Sequence, residues 1–489
     1  MPLQFRAAAA KTIEVGVMSL AERAGAGMRI VGKIIKWLAI AAIVVVAGLA
    51  GWLWIAPPAL IQVAAGYSAK MICSNVFIAK RDASEVLKVD VQAPGHPILG
   101  LISKKVDESA GVVTARLLGA FGGGTAVARD GLGCASVPDG DLAAAALPAV
   151  AALPVMGKGA GVWPMGNDVA PSQDPAIAAI LDDPAMTGPG MRAVVVVHNG
   201  RIIGERYGEG FNDETPLLGW SMTKTVTAAI IGTLVGEGKL ALDQTGLFEA
   251  WKADGRNAIK VSDLLSMSSG LEFNEDYGDV TDVTRMLYLE PDMAAFAAAK
   301  PLVNDVGKAF SYSSGTTTML SRIWQNAVGD QAAALAWPRQ RLFAQIGMSS
   351  AVLEADARGT YVGSSYLYAT AKDWARFGQL LLYNGVWNGR AVLPPGYVAM
   401  MRQPSDAAPQ EYTRGQMWLN GPSAGTPDGE DPDKGFDLPD DAVWALGHDG
   451  QSMAVIPSKQ MVVLRMGLTP SKLGYKSQKM VEALVKALP

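Results

Sequence analysis

Twenty consecutive residues, Trp37 to Ala56, carry no charged or strongly polar side chain. At about 1.5 Å per residue such a run forms a helix roughly 30 Å long, the thickness of one bilayer core. It therefore divides the chain into a leader (1–36), a spanning segment (37–56) and a body that begins after Pro57-Pro58. Arg29, Lys33 and Lys36 precede the run, and Trp37, Trp52 and Trp54 stand at its ends, where interfacial aromatics belong. The basic flank predicts a single-pass protein of a bacterial inner membrane, with its leader in the cytoplasm and its body in the periplasm. A cleaved signal peptide has a shorter apolar core, about 7–15 residues, and a short basic leader. The sequence fits an uncleaved anchor better. Translation from Met28 would give the short leader and favour secretion to the periplasm after cleavage instead.

Charge and composition exclude several classes for the body. Net charge is −4, and arginines and aromatics do not cluster in a stacking-plus-phosphate pattern, so nucleic acid is not an expected partner. His96, His198 and His448 are the only histidines and show no metal-ligand spacing, so no metal or cofactor is expected. The two cysteines, Cys73 and Cys134, are expected to form one disulfide in an exported body, with two buried free thiols as the alternative. Closing a loop of that length constrains the unfolded chain by roughly 4 kcal/mol.

Hydrophobic patterning outlines the body. Residues 59–136 read as short strands, including Ser74–Ala79 and Gly111–Leu117, and form a small accessory region of unassigned role. Residues 137–175 turn to Ala, Pro and Gly, which suits a linker lying along a surface. The remainder, 176–489, reads as one domain. Ala193–His198 and Arg201–Arg206 flank Asn199-Gly200, a strong hairpin signal. Val443–His448, Ser452–Ile456 and Met461–Met466 read as three more strands, and Lys476–Ala487 as a final helix. Between Ser221 and about Gln403 the pattern is mostly helical, as in Ala371–Leu382. The expected fold is α/β (α+β): one antiparallel sheet built from both ends of the domain, with a helical insertion and a cleft between them.

Within that layout, Ser221-Met222-Thr223-Lys224 sets a hydroxyl and an amine three residues apart at the start of a helix, on one face. The following Thr225–Val235 run is apolar or small on nearly every side and marks a buried helix. A lysine in its first turn must be paired or functional. A lysine whose pKa is lowered by burial can take the proton of a serine hydroxyl and make it a nucleophile. The alternative for an isolated S-x-x-K is a capping serine beside a surface lysine.

Two further segments would complete such a site. Phe310–Gly315 is a polar loop before a helix, and its Tyr312 can relay a proton if Lys224 lowers the phenol pKa. Gly447-His448-Asp449-Gly450-Gln451 ends a strand with glycines that allow close backbone approach, so the N–H groups of Ser221 and Gln451 can form an oxyanion hole. Gly421–Gly425 fits a G-x-S-x-G elbow around Ser423, but Thr426-Pro427-Asp428-Gly429 follows where a helix is required, so it reads as a loop. A Ser221–His448–Asp449 triad is disfavoured because neighbours on one strand alternate faces.

These three segments, in this order, make the chain similar to the serine β-lactamase and penicillin-binding superfamily. It looks most like the class C type and the related esterases and 6-aminohexanoate-dimer hydrolases. The resemblance covers about residues 192–488 and extends to Gly270 and Asp373–Gly378. It implies Ser221 as nucleophile, Lys224 as base and Tyr312 as assistant, with Ser314, His448, Gly450 and Gln451 on the substrate and oxyanion side. Two departures matter: His448-Asp449 stands where the family's strand box has lysine and threonine, and Ser314 where the tyrosine box has asparagine in many members. Loss of the fixed positive charge favours an ester or neutral amide over a β-lactam. The expectation is a serine hydrolase acting on a small-molecule or peptide-like acyl substrate. A DD-peptidase or β-lactamase and a non-catalytic ligand sensor are the alternatives, and the sequence does not specify an oligomeric state.

Overall fold

A computed structural model of the chain describes residues 20–154, 159 and 161–488. The leader assigned to 1–36 thus lies partly outside the described residues, as does a short stretch of the assigned linker. The chain separates into two compact units, one ending at Pro57 and one beginning at Pro58. The first contains a single long helix, α1 (Leu20–Ile55). Its Met28–Ile55 portion is long and apolar enough to cross a membrane, a property shared by anchors and signal sequences.

The second unit opens with α2 (Ala59–Phe77), followed by a four-stranded antiparallel meander: β1 (Ile102–Asp107), β2 (Val112–Leu117), β3 (Phe121–Arg129) and β4 (Gly133–Ser136). The strand expected over Ser74–Ala79 is instead mostly the last turn of α2. The β-branched and aromatic content of so short a run is overridden by the small and apolar residues before it, which make a helix buried on nearly all sides. Glycines allow that burial. A Cβ on Gly124 of β3 would lie 2.2 Å from the Ala65 backbone, and one on Gly66 would lie 3.0 Å from Tyr288.

Beyond a short helix, α3 (Pro175–Asp182), come β5 (Met191–His198) and β6 (Arg201–Tyr207), paired as a hairpin through Asn199-Gly200, both at positive φ. A mainly helical insertion follows, with α4 (Met222–Gly236), α5 (Asp282–Leu289), α6 (Ser314–Val328) and α7 (Ala371–Leu382). The chain then returns as β7 (Val443–Gly447), β8 (Gln451–Ile456) and β9 (Met461–Gly467), and closes with α8 (Gln478–Ala487). The sheet order β7-β8-β9-β5-β6 is antiparallel throughout, and β9 pairs β5 with Leu464 opposite Val195. Strands from the two ends thus form one sheet.

Both faces of the sheet are covered, which is why β5 reads as an unbroken apolar run. Val194, Val196 and Val463 pack with Ile177 and Leu181 of α3 and Met480, Val481 and Leu484 of α8. The alternate residues face α7, where a Cβ on Gly378 would lie 2.6 Å from Val462. That close approach sets α7 against the sheet. Trp374 of α7 then donates its indole N–H to Leu217 O at 3.2 Å, fixing the strand segment that leads into Ser221.

Candidate active site

Ser221 occupies the N-cap position of α4 but its side chain caps nothing. Its Oγ instead accepts a hydrogen bond from Lys224 Nζ at 3.0 Å. The turn is strained: Trp220, immediately before it, sits at φ +47, where a bulky residue is rarely found. Gly219 permits the crowding, because a Cβ there would lie 2.2 Å from the Trp374 ring. Gly447 does the same from the sheet side, where a Cβ would lie 2.3 Å from Gly219 O. The end of β7 is thereby pressed against the Ser221 turn.

Lys224 is 1% exposed. Its three hydrogen bonds go to Ser221 Oγ (3.0 Å), Ser314 Oγ (3.0 Å) and Ser364 O (3.1 Å). Ser314 donates its hydroxyl proton to Glu275 Oε1 at 2.5 Å and its N–H to Glu275 Oε2 at 2.7 Å. When Lys224 is neutral it has two N–H bonds and a lone pair. Ser364 O can only accept, and Ser314 has committed its proton to Glu275. The Ser221 hydroxyl is therefore the partner left to donate into that lone pair.

Electrostatics point the same way. Burial pulls the Lys224 pKa down to about 8, with the Glu275 charge acting against it. Burial raises the Glu275 pKa, and Lys224 and the Ser314 hydrogen bonds oppose that. Tyr312 differs from expectation. Burial, reinforced by Glu275, pushes its pKa well up, and only a hydrogen bond with Ser221 acts downward. Lys224 Nζ lies over the Tyr312 ring, 4.7 Å from its centroid, rather than beside the hydroxyl. Tyr312 is a protonated phenol at ordinary pH.

His448 and Asp449 also differ from expectation. β7 ends at Gly447, and His448–Gly450 forms a tight turn in which Asp449 adopts φ +58. Strand alternation does not apply there, and His448 Nδ1 lies 3.0 Å from Asp449 Oδ2. The imidazole packs on Tyr277 and Trp220, with ring centroids 5.0 and 5.5 Å away. Burial disfavours the imidazolium, but the Asp449 hydrogen bond and charge, together with Glu275, raise the His448 pKa overall. The histidine is thus pushed towards its charged form, as half of an ion pair.

Gln451 is held by its side chain, which donates to Gly467 O (2.6 Å) and His448 O (2.9 Å) and accepts from Gly467 N (2.8 Å). Arg465 donates to Gly450 O at 2.8 Å and anchors the turn from below. Ser221, Tyr312, His448, Gly450 and Gln451 all line one cleft of about 1410 Å³. Ser423 lies on the same cleft, in a loop with no helix after it.

Glu275 carries no spacing signal in the sequence, where it is one acid in a polar loop. Gly315 brings it in: a Cβ there would lie 2.5 Å from Phe273, so the loop can pack at the start of α6. Away from the cleft, Cys73 and Cys134 are joined in a disulfide. No cluster of His, Cys, Asp and Glu able to hold a metal ion occurs among the described residues.

The chain belongs to the Beta-lactamase family, whose model matches residues 181–470, within the serine β-lactamase and penicillin-binding superfamily. It is 24% identical over 304 residues to a 6-aminohexanoate-dimer hydrolase of Paenarthrobacter ureafaciens, covering 57% of this chain and 72% of that protein. A solved family VIII carboxylesterase superposes with a TM-score of 0.51 at 14% identity, covering 66% of this chain and 99% of that one. A 6-aminohexanoate-dimer hydrolase homologue from Bacillus anthracis gives 0.49 at 24% identity, with 61% and 78% covered. The fold is that of the β-lactamases and transpeptidases, and relatives of this chain are hydrolases.

Proposed function

We propose that this is a membrane-anchored serine hydrolase that cleaves an ester or amide bond through an acyl-enzyme on Ser221, with its catalytic body in the periplasm and without a cofactor. In this reading residues 59–136 are an accessory region, 137–175 a linker and 176–489 the hydrolase domain. Neutral Lys224 takes the Ser221 proton as Oγ attacks the substrate carbonyl carbon. The charge that develops on the carbonyl oxygen is met by the N–H groups of Ser221 and Gln451. The Lys224 ammonium then passes that proton to the leaving group, and Tyr312, protonated and hydrogen-bonded to Ser221, assists as a hydrogen-bond donor. Water then attacks the acyl carbon and gives a proton to Lys224, which passes it to Ser221 Oγ as the ester bond breaks and the acid leaves.

The observation that carries this reading is the hydrogen-bond set of Lys224, in which Ser221 is the one partner able to donate to the neutral amine. The names of two relatives, a 6-aminohexanoate-dimer hydrolase and a carboxylesterase, are in keeping with a hydrolase. The test is steady-state turnover of p-nitrophenyl butyrate by the full chain in detergent. Many product equivalents per enzyme, abolished in Ser221→Ala, are expected. A single equivalent with no further release would favour a ligand sensor that acylates without turnover.

A further inference from the structure

The cleft around Ser221 holds about 1410 Å³, more than the roughly 300–1,000 Å³ of ordinary small-molecule sites. A short acyl ester would leave much of it filled with water. Part of its wall comes from outside the family domain, which begins at residue 181. Leu60, Val63 and Ala64 of α2, with Ile98 and Leu99 after it, line the same cleft as Ser221. Those five side chains are all hydrocarbon. Leu60 and Ile98 are half-buried, so they present apolar surface to whatever fills the cleft.

This wall is fixed rather than hinged. The Cys73–Cys134 disulfide ties α2 to β4, and Lys70 Nζ lies 2.6 Å from Glu354 Oε2 in a buried ion pair with the hydrolase domain. Gly66 brings α2 against Tyr288 of α5. A rigid apolar surface lining a cleft gains free energy when a hydrocarbon displaces water from it, and being rigid it costs little ordering to bind.

We infer that the accessory region builds an apolar subsite of the catalytic cleft that receives a hydrocarbon chain of the substrate, making medium- and long-chain acyl compounds better substrates than short ones. This rests on the hydrolase reading above. The experiment is kcat/KM of the full chain for p-nitrophenyl esters from acetate to decanoate, alongside alkyl acetates of increasing chain length. The acyl series should rise with length, by up to about fourfold per methylene, and more steeply than the alkyl series. Leu60→Glu and Ile98→Glu should cut the long-to-short ratio at least tenfold, while Leu60→Met keeps it within a few-fold. Thermal unfolding of each variant separates this from loss of fold. A flat acyl series, or an unchanged ratio in both glutamate variants, would overturn the inference.

A binding measurement keeps it independent of turnover. Ser221→Ala should bind N-methyl decanamide more tightly than N-methyl butanamide, and Leu60→Glu in that background should erase the difference. Equal affinities would overturn the subsite even if esters are hydrolysed. Chain-length-dependent binding without ester turnover would instead leave the subsite standing and remove the hydrolase reading.

Discussion

At the scale of single residues the proposed chemistry turns on one amine. The base form of Lys224 is the neutral one, and burial sets its pKa at about 8. Activity should therefore rise with pH through about 8 and level off above it, because deprotonation creates the proposed general base. Lys224→Ala should lower kcat/KM by about 10²–10⁴, the usual worth of general-base assistance. A pH-independent rate between 6 and 10, or an alanine variant within a few-fold of wild type, would contradict the role. Glu275 is a positioning residue acting through Ser314 and through its charge. That charge raises the Lys224 pKa, so Glu275→Gln should move the rise in activity to lower pH, read from the same profile. A shift to higher pH would contradict the assignment. His448 governs a third outcome. Even charged, it is neutralised by Asp449. Glu275, Asp276, Asp279, Glu411 and Asp431 also line the cleft, and among the described residues no lysine or arginine lines it. Neutral esters should outrun carboxylate-bearing β-lactams in kcat/KM, and His448→Lys should shift the ratio towards the β-lactam by a few-fold to tens-fold. Efficient β-lactam turnover by wild type would contradict this.

Among the elements, those with a clean period were legible in sequence and those set by context were not. Asn199-Gly200 between two β-rich runs specified the hairpin, and the three C-terminal strands and closing helix followed from alternation and amphipathicity. α2 was not legible, because a helix packed on every side shows no polar face and its final turn, Ser74–Phe77, is written in strand-forming residues. The turn at His448–Gly450 is hidden in the sequence for a related reason. Alternation holds only while the strand continues, and Asp449 at φ +58 ends it. Part of what holds α2 in place is a buried Lys70–Glu354 pair, with Ser74 donating to Glu354 Oε1 at 2.9 Å and Cys134 N at 2.6 Å. Lys70→Met would leave the carboxylate without its cation and should destabilise the body by about 3–5 kcal/mol in denaturant unfolding. A loss under about 1 kcal/mol would show that the backbone and hydroxyl donors suffice.

For the molecule as a whole, the apolar run and the order of the three boxes carried most of what the sequence could say. They predicted a helix able to span a bilayer, a sheet assembled from both ends of a domain, and Ser221 beside Lys224. What lay beyond reach were contacts between segments far apart in the chain. Glu275 meets Ser314 across 39 residues, and α2 meets the Beta-lactamase domain across 284, at Lys70 and Glu354. Such pairs leave no local period to read. This assembly is proposed to make Ser221 Oγ the acylated atom. The most direct measurement is peptide mapping by mass spectrometry after a fluorophosphonate has reacted with the full chain in detergent. The account predicts one adduct per molecule, on Ser221, absent from Ser221→Ala. An adduct on Ser423, or none on a protein that still turns over an ester, would contradict it.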